Sequence, residues 1–214
     1  MWLTAVITFV AAYLIGSVNF AVIFTKAFTD KDVRNYGSGN AGTTNVMRVG
    51  GKTAGVLTFI CDVLKGFAAS LLGKFMFEYI AAHSVSDWAV GVYGAYICGI
   101  FCIIGHVFPL FFDFKGGKGV ATGVGIYAVC CPIAIAVGLC VFAVLRLITK
   151  IVSVSSIVSV VVVVVLSLLL HNESALFWPQ MLFSLIIGLI IILKHSDNIK
   201  RLISGEEKNF GFKR

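Results

Sequence analysis

Two stretches of this sequence gather residue types that can hold an anion. The first is Gly37-Ser38-Gly39-Asn40-Ala41-Gly42-Thr43-Thr44-Asn45, followed by Arg48 and the pair Gly50-Gly51. Glycine lets backbone N–H groups come close to an anion, Ser, Thr and Asn add side-chain hydrogen bonds, and Arg takes phosphate oxygens two at a time. By inventory this is a phosphate cradle. A merely flexible polar loop needs no such density of Gly, Asn and Arg. The second stretch is Gly105-His106-Val107-Phe108-Pro109 with Phe114-Lys115-Gly116-Gly117-Lys118-Gly119-Val120-Ala121-Thr122. Here Gly-Gly-Lys-Gly stands directly before an apolar run, and a helix start offers unpaired N–H groups and a partial positive charge to phosphate. It is not a nucleotide P-loop, because the Gly-x4-Gly-Lys-Ser/Thr spacing is absent and no strand precedes it.

Two further polar clusters are less specific. Arg146-Leu147-Ile148-Thr149-Lys150 with Ser153, Ser155 and Ser156 is explained by topology charges and helix capping. In the tail, His195, Asn198 and Arg201 fall on one helical face if the last apolar helix continues past Lys194, and Gly205, Glu206 and Glu207 follow. Asp62 and Lys65 lie three apart inside an apolar run. Ionisable groups at membrane depth are costly and face a polar interior; a structural ion pair between helices is the reading preferred to a catalytic one. Lys74 can snorkel to the far interface. All six cysteines fall in apolar runs, with no His or Cys partner at zinc spacing, so packing rather than metal binding is expected of them.

The elements that must position these residues need a lipid solvent. Of 214 residues, 59% are hydrophobic and 13% charged, and the mean hydropathy is +0.99, too apolar for an ordinary soluble domain. Apolar runs at 2–24, 53–77, 88–112 and 175–193 are each long enough for a bilayer core of roughly 30 Å; 153–170 is slightly short, with Val160 to Val165 unbroken. Pro132 interrupts 119–145. Were that segment one span, Lys115 and Lys118 would face Arg146 and Lys150 across the membrane, against the positive-inside tendency. Two short helices, 119–131 and 132–148, avoid this. The prediction is an all-α integral membrane bundle of seven helices, the fourth and fifth short, tilted or partly inserted. The polar segments 25–52, 113–119, 146–152 and 194–214 carry most of the Lys and Arg, whereas 78–87 and 171–174 carry Glu78, Asp87 and Glu173 and none. The N-terminus is therefore expected outside, and the C-terminus and all four basic segments at the cytoplasmic face. No Lys or Arg precedes Lys26, so the first run reads as a retained helix rather than a secretory signal. The net charge of +7 is accounted for by topology, not nucleic acid. With no repeat or linker, residues 1–214 read as a single multi-pass domain.

Laid out in this way, the chain resembles the bacterial acyl-phosphate-dependent glycerol-3-phosphate acyltransferase family of membrane enzymes. The resemblance runs from end to end. It rests on Gly-Ser-Gly-Asn-x-Gly-x-Thr-Asn-x-x-Arg at 37–48, Gly-His-x-Phe-Pro at 105–109 with Phe-Lys-Gly-Gly-Lys-Gly-Val-Ala-Thr at 114–122, and His-x-x-Asn-Ile-x-Arg-Leu-x-x-Gly-x-Glu at 195–207. It implies acyl transfer from a fatty acyl phosphate to the 1-hydroxyl of glycerol 3-phosphate in the bacterial cytoplasmic membrane, with no cofactor or metal. The enzyme that makes acyl phosphate is the implied partner. It also implies roles: Ser38, Arg48, Lys118, His195 and Asn198 in catalysis, and Glu207 in structural integrity. Substrate binding falls to Gly37, Gly39, Asn40, Thr44, Asn45, His106, Lys115, Gly116, Gly117, Gly119, Thr122 and Arg201. Thr43 departs from the Ala that many relatives have, a methyl-sized change. No His-x4-Asp pair of the other large acyltransferase group is present, and the proton acceptor stays open among His195, His106 and a substrate phosphate. A transporter would be expected to place its site near the midplane between matched halves, and a phosphotransferase to carry an acidic metal cluster; neither pattern is visible.

Overall fold

The computed structural model describes residues 2–84, 89–170 and 177–207; Asp87, Glu173 and Lys208 lie outside them. No strand occurs among the described residues. The helices are α1 (Trp2–Ser17), α2 (Phe20–Thr29), α3 (Thr43–Val49), α4 (Gly51–Ala82), α5 (Gly91–Val107), α6 (Val120–Cys130), α7 (Pro132–Thr149), α8 (Val152–Leu169), α9 (Phe177–Leu193) and α10 (Ser196–Ile203). Trp2–Thr29, Gly51–Ala82, Gly91–Phe112, Pro132–Thr149 and Val152–Leu169 are each long and apolar enough to cross a bilayer, and α9 with α10, bent by 57°, forms a sixth if counted together. The expected apolar segments thus appear in order. The fourth, α6, is short at 11 residues, whereas the fifth, α7, has 18 and is long and apolar enough to cross. Pro132 stands in its first turn, where a missing N–H leaves no bond unmade, so it starts a helix instead of kinking one.

The chain forms two compact units, Met1–Cys130 and Cys131–Arg214. In the first, α4 is the central element and packs against α1, α2, α3, α5 and α6. Small residues let these backbones approach, as is usual where lipid offers no hydrophobic drive between helices. A β-carbon on Gly66 would collide with the carbonyl oxygen of Thr122, and one on Gly125 with that of Val63, so α4 and α6 meet at two glycines. Tyr96, Phe77, Ile103 and Ile126 fill the remaining interior.

The first span is not the continuous helix expected over 2–24. It breaks at Val18 and Asn19. Asn19 restarts the helix by accepting the Val22 N–H on its side chain at 3.2 Å. On the other side of the break, the Lys65 ammonium donates to the carbonyls of Gly16 at 3.1 Å and Val18 at 2.9 Å. Asp62 lies 2.8 Å from the same ammonium, and both side chains are buried. The intramembrane pair is therefore structural in a specific way: it closes backbone acceptors that a broken helix leaves open where no lipid can serve them.

In the second unit α8 packs against both α7 and α9. Ser167 donates to Ser184 at 3.0 Å across the α8–α9 contact, and a β-carbon on Gly138 of α7 would strike Val163 of α8.

Candidate active site

The first motif is a loop held in shape by one amide. The Asn45 side chain, 1% exposed, accepts the Ser38 N–H at 3.0 Å and donates to the carbonyls of Val33 at 3.0 Å and Tyr36 at 2.9 Å. Gly37 and Gly39 flank Ser38 with φ of +64° and +70°, and a β-carbon at Gly37 would collide with the Asn45 oxygen. Ser38 is consequently presented on an exposed turn, and Asn40 and Thr44 are half-buried beside it. Arg48 is exposed at the end of α3. Asn45, expected to touch substrate, instead has both amide hydrogens committed to the loop backbone; it shapes the loop. The N–H groups of Ser38, Gly39 and Gly42 are likewise bonded within the loop. At those positions the cradle is built by the backbone and lined by side chains.

The second motif lies on the end of α5. Gly116 and Gly117 donate their N–H groups to the carbonyls of Val107 and His106, each at 3.2 Å, and Lys115 donates to Phe112 at 3.1 Å. A β-carbon on Gly116 would strike the His106 carbonyl; one on Gly117 would strike both His106 Nε2 and the Ala41 carbonyl. These two are glycines because the loop is sandwiched between α5 and the first motif, not because their N–H groups point at an anion. Gly119, with φ of +85°, turns the chain into α6, while Lys115 is exposed and Lys118 half-buried. Thr122 is completely buried, its backbone against Gly66, which removes it from the expected substrate contacts.

Between the two loops is a cavity of about 390 Å³ lined by Asp32, Arg34, Asn35, Gly39, Asp113, Lys115 and Gly116. Four of these, Asp32, Arg34, Asn35 and Asp113, carry no signal in the sequence beyond polarity in a polar segment. Arg34 holds Asp32 with Nη2 at 2.8 Å and donates Nη1 to the Phe112 carbonyl at 2.7 Å. The hydrogen bonds from Arg34 hold the Asp32 carboxyl below the ordinary carboxylate range, against the opposing effect of burial. Beneath the loops, His106 is 7% exposed, with Nδ1 3.6 Å from the Asp62 carboxylate and Nε2 against Gly117.

The third motif belongs to the second unit. The last span does not run straight past Lys194; the chain bends by 57° between α9 and α10, and the buried His195 sits at the corner. Its Nδ1 pairs with the Ile191 carbonyl at 2.8 Å, which fixes the orientation of the ring. Asn198 and Arg201, one turn apart on α10, converge on Glu207. Glu207 accepts from Ser153 at 2.7 Å and Asn198 at 2.6 Å on Oε1, and from Arg201 at 2.6 Å on Oε2. Burial by itself would push this carboxyl up, but the three donors outweigh it and hold it below its ordinary value. Ser153 therefore belongs to the motif by contact, although its sequence position gave only a cap.

Long apolar helices joined to short, glycine-shaped polar loops that carry Ser, Arg, Lys and His define a multi-pass membrane protein built to handle an anionic ligand. Comparison with known proteins narrows the class. Residues 6–205 match the family described as "Glycerol-3-phosphate acyltransferase". The glycerol-3-phosphate acyltransferase of Thermoanaerobacter sp. (strain X514) is 42% identical over 209 residues, spanning 98% of this chain and 97% of that one. Glycerol-3-phosphate acyltransferase 2 of Bacillus anthracis is 39% identical over 202 residues, covering 94% and 97%. A crystal structure of PlsY (YgiH), an integral membrane glycerol 3-phosphate acyltransferase, in its glycerol 3-phosphate form superposes with a TM-score of 0.80 at 35% identity, covering 97% of this chain and 96% of that one. The lysophosphatidic acid form of the same protein gives 0.76 at 33% identity, covering 97% and 95%. The chain belongs to the glycerol-3-phosphate acyltransferase family.

Proposed function

We propose that this protein transfers a fatty acyl group from acyl phosphate to the 1-hydroxyl of glycerol 3-phosphate, releasing 1-acylglycerol 3-phosphate and inorganic phosphate. The observation that carries the reading is the juxtaposition of the first and second motifs: the Ala41 carbonyl abuts Gly117, and the cavity beside that contact has Gly39 on one wall and Lys115 and Gly116 on the other. A cavity of about 390 Å³ whose polar walls carry Arg34 and Lys115, with Asp32 held by Arg34 and Asp113 turned largely to solvent, has room for a small phosphorylated polyol.

In the step proposed, the 1-hydroxyl oxygen forms a bond to the acyl carbon and the bond from that carbon to the phosphate oxygen breaks. Phosphate leaves with its electron pair, and the hydroxyl proton passes to a base. An acyl phosphate is already activated, so the demands on the protein are to hold two anions together and to stabilise developing charge. Ser38, Arg48, Lys118, His195 and Asn198 are assigned to catalysis. Lys115 and the loop that the glycines of the second motif shape, with Gly37, Gly39, Asn40, Thr44, His106 and Arg201, are assigned to binding, and Glu207 to structure. His195, His106 and a substrate phosphate remain the candidates for the proton. The chain acts as one domain over 1–214 in the bacterial cytoplasmic membrane, N-terminus outside, and the site and C-terminus face the cytoplasm. The enzyme that makes acyl phosphate is the natural supplier.

The test is purified protein in detergent with palmitoyl phosphate and radiolabelled glycerol 3-phosphate, read as lysophosphatidic acid. Product is expected from acyl phosphate alone. Product from acyl-CoA or acyl carrier protein, with none from acyl phosphate, overturns the donor assignment.

A further inference from the structure

Arg34 lies outside all three motifs, yet it reaches both walls of the cavity. From the first loop, its Nε lies 3.1 Å from each Asp32 oxygen and its Nη2 2.8 Å from Oδ2, a forked grip that aims the guanidinium. Asp32 is itself fixed, because its Oδ1 also accepts the backbone N–H of Arg34 at 3.0 Å. The remaining arm, Nη1, crosses to the second loop and donates to the Phe112 carbonyl at 2.7 Å, with Asp113 Oδ2 at 3.5 Å. Since the Asp113 side chain is 81% exposed, that ion pair is screened and the carbonyl bond is the firm contact.

The point of attachment matters. Directly after Phe112, Asp113 and Phe114 both adopt left-handed backbone, with φ of +55° and +57°. Two consecutive non-glycine residues in that region persist only where their surroundings hold them. The next residue is Lys115, which lines the cavity. We propose that Arg34, aimed by Asp32, is a positioning residue that fixes the separation of the two loops and the placement of Lys115, and thereby sets the affinity for glycerol 3-phosphate. This rests on the reading that the loops bind that substrate. Lysine cannot replace arginine here, because a single ammonium cannot grip both Asp32 oxygens and reach the carbonyl in one forked geometry.

Two measurements test it. In amide hydrogen exchange without substrate, Arg34→Gln should exchange faster than wild type at Lys115, Gly116 and Gly117, while the membrane helices are unchanged. In kinetics, Arg34→Gln and Arg34→Lys should raise the KM for glycerol 3-phosphate by about tenfold to a hundredfold, the scale of a charge-assisted bond and of a misplaced binding group. The KM for acyl phosphate and kcat should stay near wild type. Asp32→Asn, which keeps the shape and weakens the grip, should show a smaller rise and serves where Arg34 variants fail to fold. Wild-type exchange over 115–117 in Arg34→Gln overturns the positioning role whether or not the protein acylates glycerol 3-phosphate. Lower turnover with unchanged KM in both Arg34→Lys and Asp32→Asn overturns it too, leaving Arg34 merely structural. A wild-type protein with no acyltransferase activity but faster exchange in the variant would instead fail the functional reading alone.

Discussion

Replacing Lys65 by Met removes one ammonium that serves three acceptors in the interior of the first unit. Asp62, at 2.8 Å, would be left as a buried carboxylate faced only by His106 at 3.6 Å, and the carbonyls of Gly16 and Val18 would lose their donor at the break in the first span. Stranding one member of a buried pair costs about 3–5 kcal/mol, and each uncapped buried carbonyl about 1–3 kcal/mol. Because a single group serves all three, these terms do not add in full; a loss of roughly 4–6 kcal/mol is expected. That is a large share of the roughly 5–15 kcal/mol that holds a domain folded, and at about 2–4 °C per kcal/mol for a chain of this size it lowers Tm by about 10–20 °C. Asp62→Asn should cost less, since Lys65 keeps both carbonyls. In the double variant Asp62→Asn/Lys65→Met the stranded charge is gone but the helix break stays uncapped, so its loss should be smaller than that of Lys65→Met alone. The assay is thermal unfolding of the four proteins in one detergent, read as a double-mutant cycle. A Tm for Lys65→Met within a few degrees of wild type, or a cycle with no coupling, would refute the account of the ion pair as the cap of a broken helix.

Further outcomes follow from the two motif regions. Ser38→Ala and Arg48→Ala should each abolish turnover while leaving insertion, yield and Tm at wild-type values, because Ser38 is exposed on a turn whose shape is set by Asn45 and Arg48 is exposed at the end of α3; near-normal turnover in both would remove the first motif from catalysis. Glu207→Gln should destabilise the second unit by about 1–3 kcal/mol near pH 7, the scale of hydrogen bonds to a charged group, measured by thermal unfolding. The Glu207 carboxyl is depressed in the folded chain, so its contribution is present above the unfolded value of about 4.3 and is lost as pH falls through the folded value. The gap between wild type and Glu207→Gln should therefore close on acidification, and a constant gap down to about pH 3 would contradict the depressed carboxyl.

Much of the membrane architecture was legible from residue order because length, apolarity and the placement of Lys and Arg are local properties. Pro132 is a good instance: it divided the ambiguous 119–145 run at the place where α6 gives way to α7. The break at Val18–Asn19 was not legible, since nothing in an apolar run announces that Lys65, 47 residues away from Val18, will satisfy its carbonyl. The bend at His195 was missed for the opposite reason. A spacing of three between His195, Asn198 and Arg201 fits one helical face, but the chain turns at His195, and only Asn198 and Arg201 share α10.

The chain belongs to the family that its motifs resemble, so the resemblance carried by residue order gave the class of protein. What each residue does within those motifs came only with the folded chain. Gly116 and Gly117 looked like an anion nest but are sites of close packing; Asn45 looked like a ligand contact but holds the loop; Arg34 looked like a topology charge and spans the cavity. The physical reason is common to all three. A side chain's chemistry is written in its type, but its partner is set by which distant backbone the fold brings within about 3 Å, and for Arg34 that partner is 78 residues away.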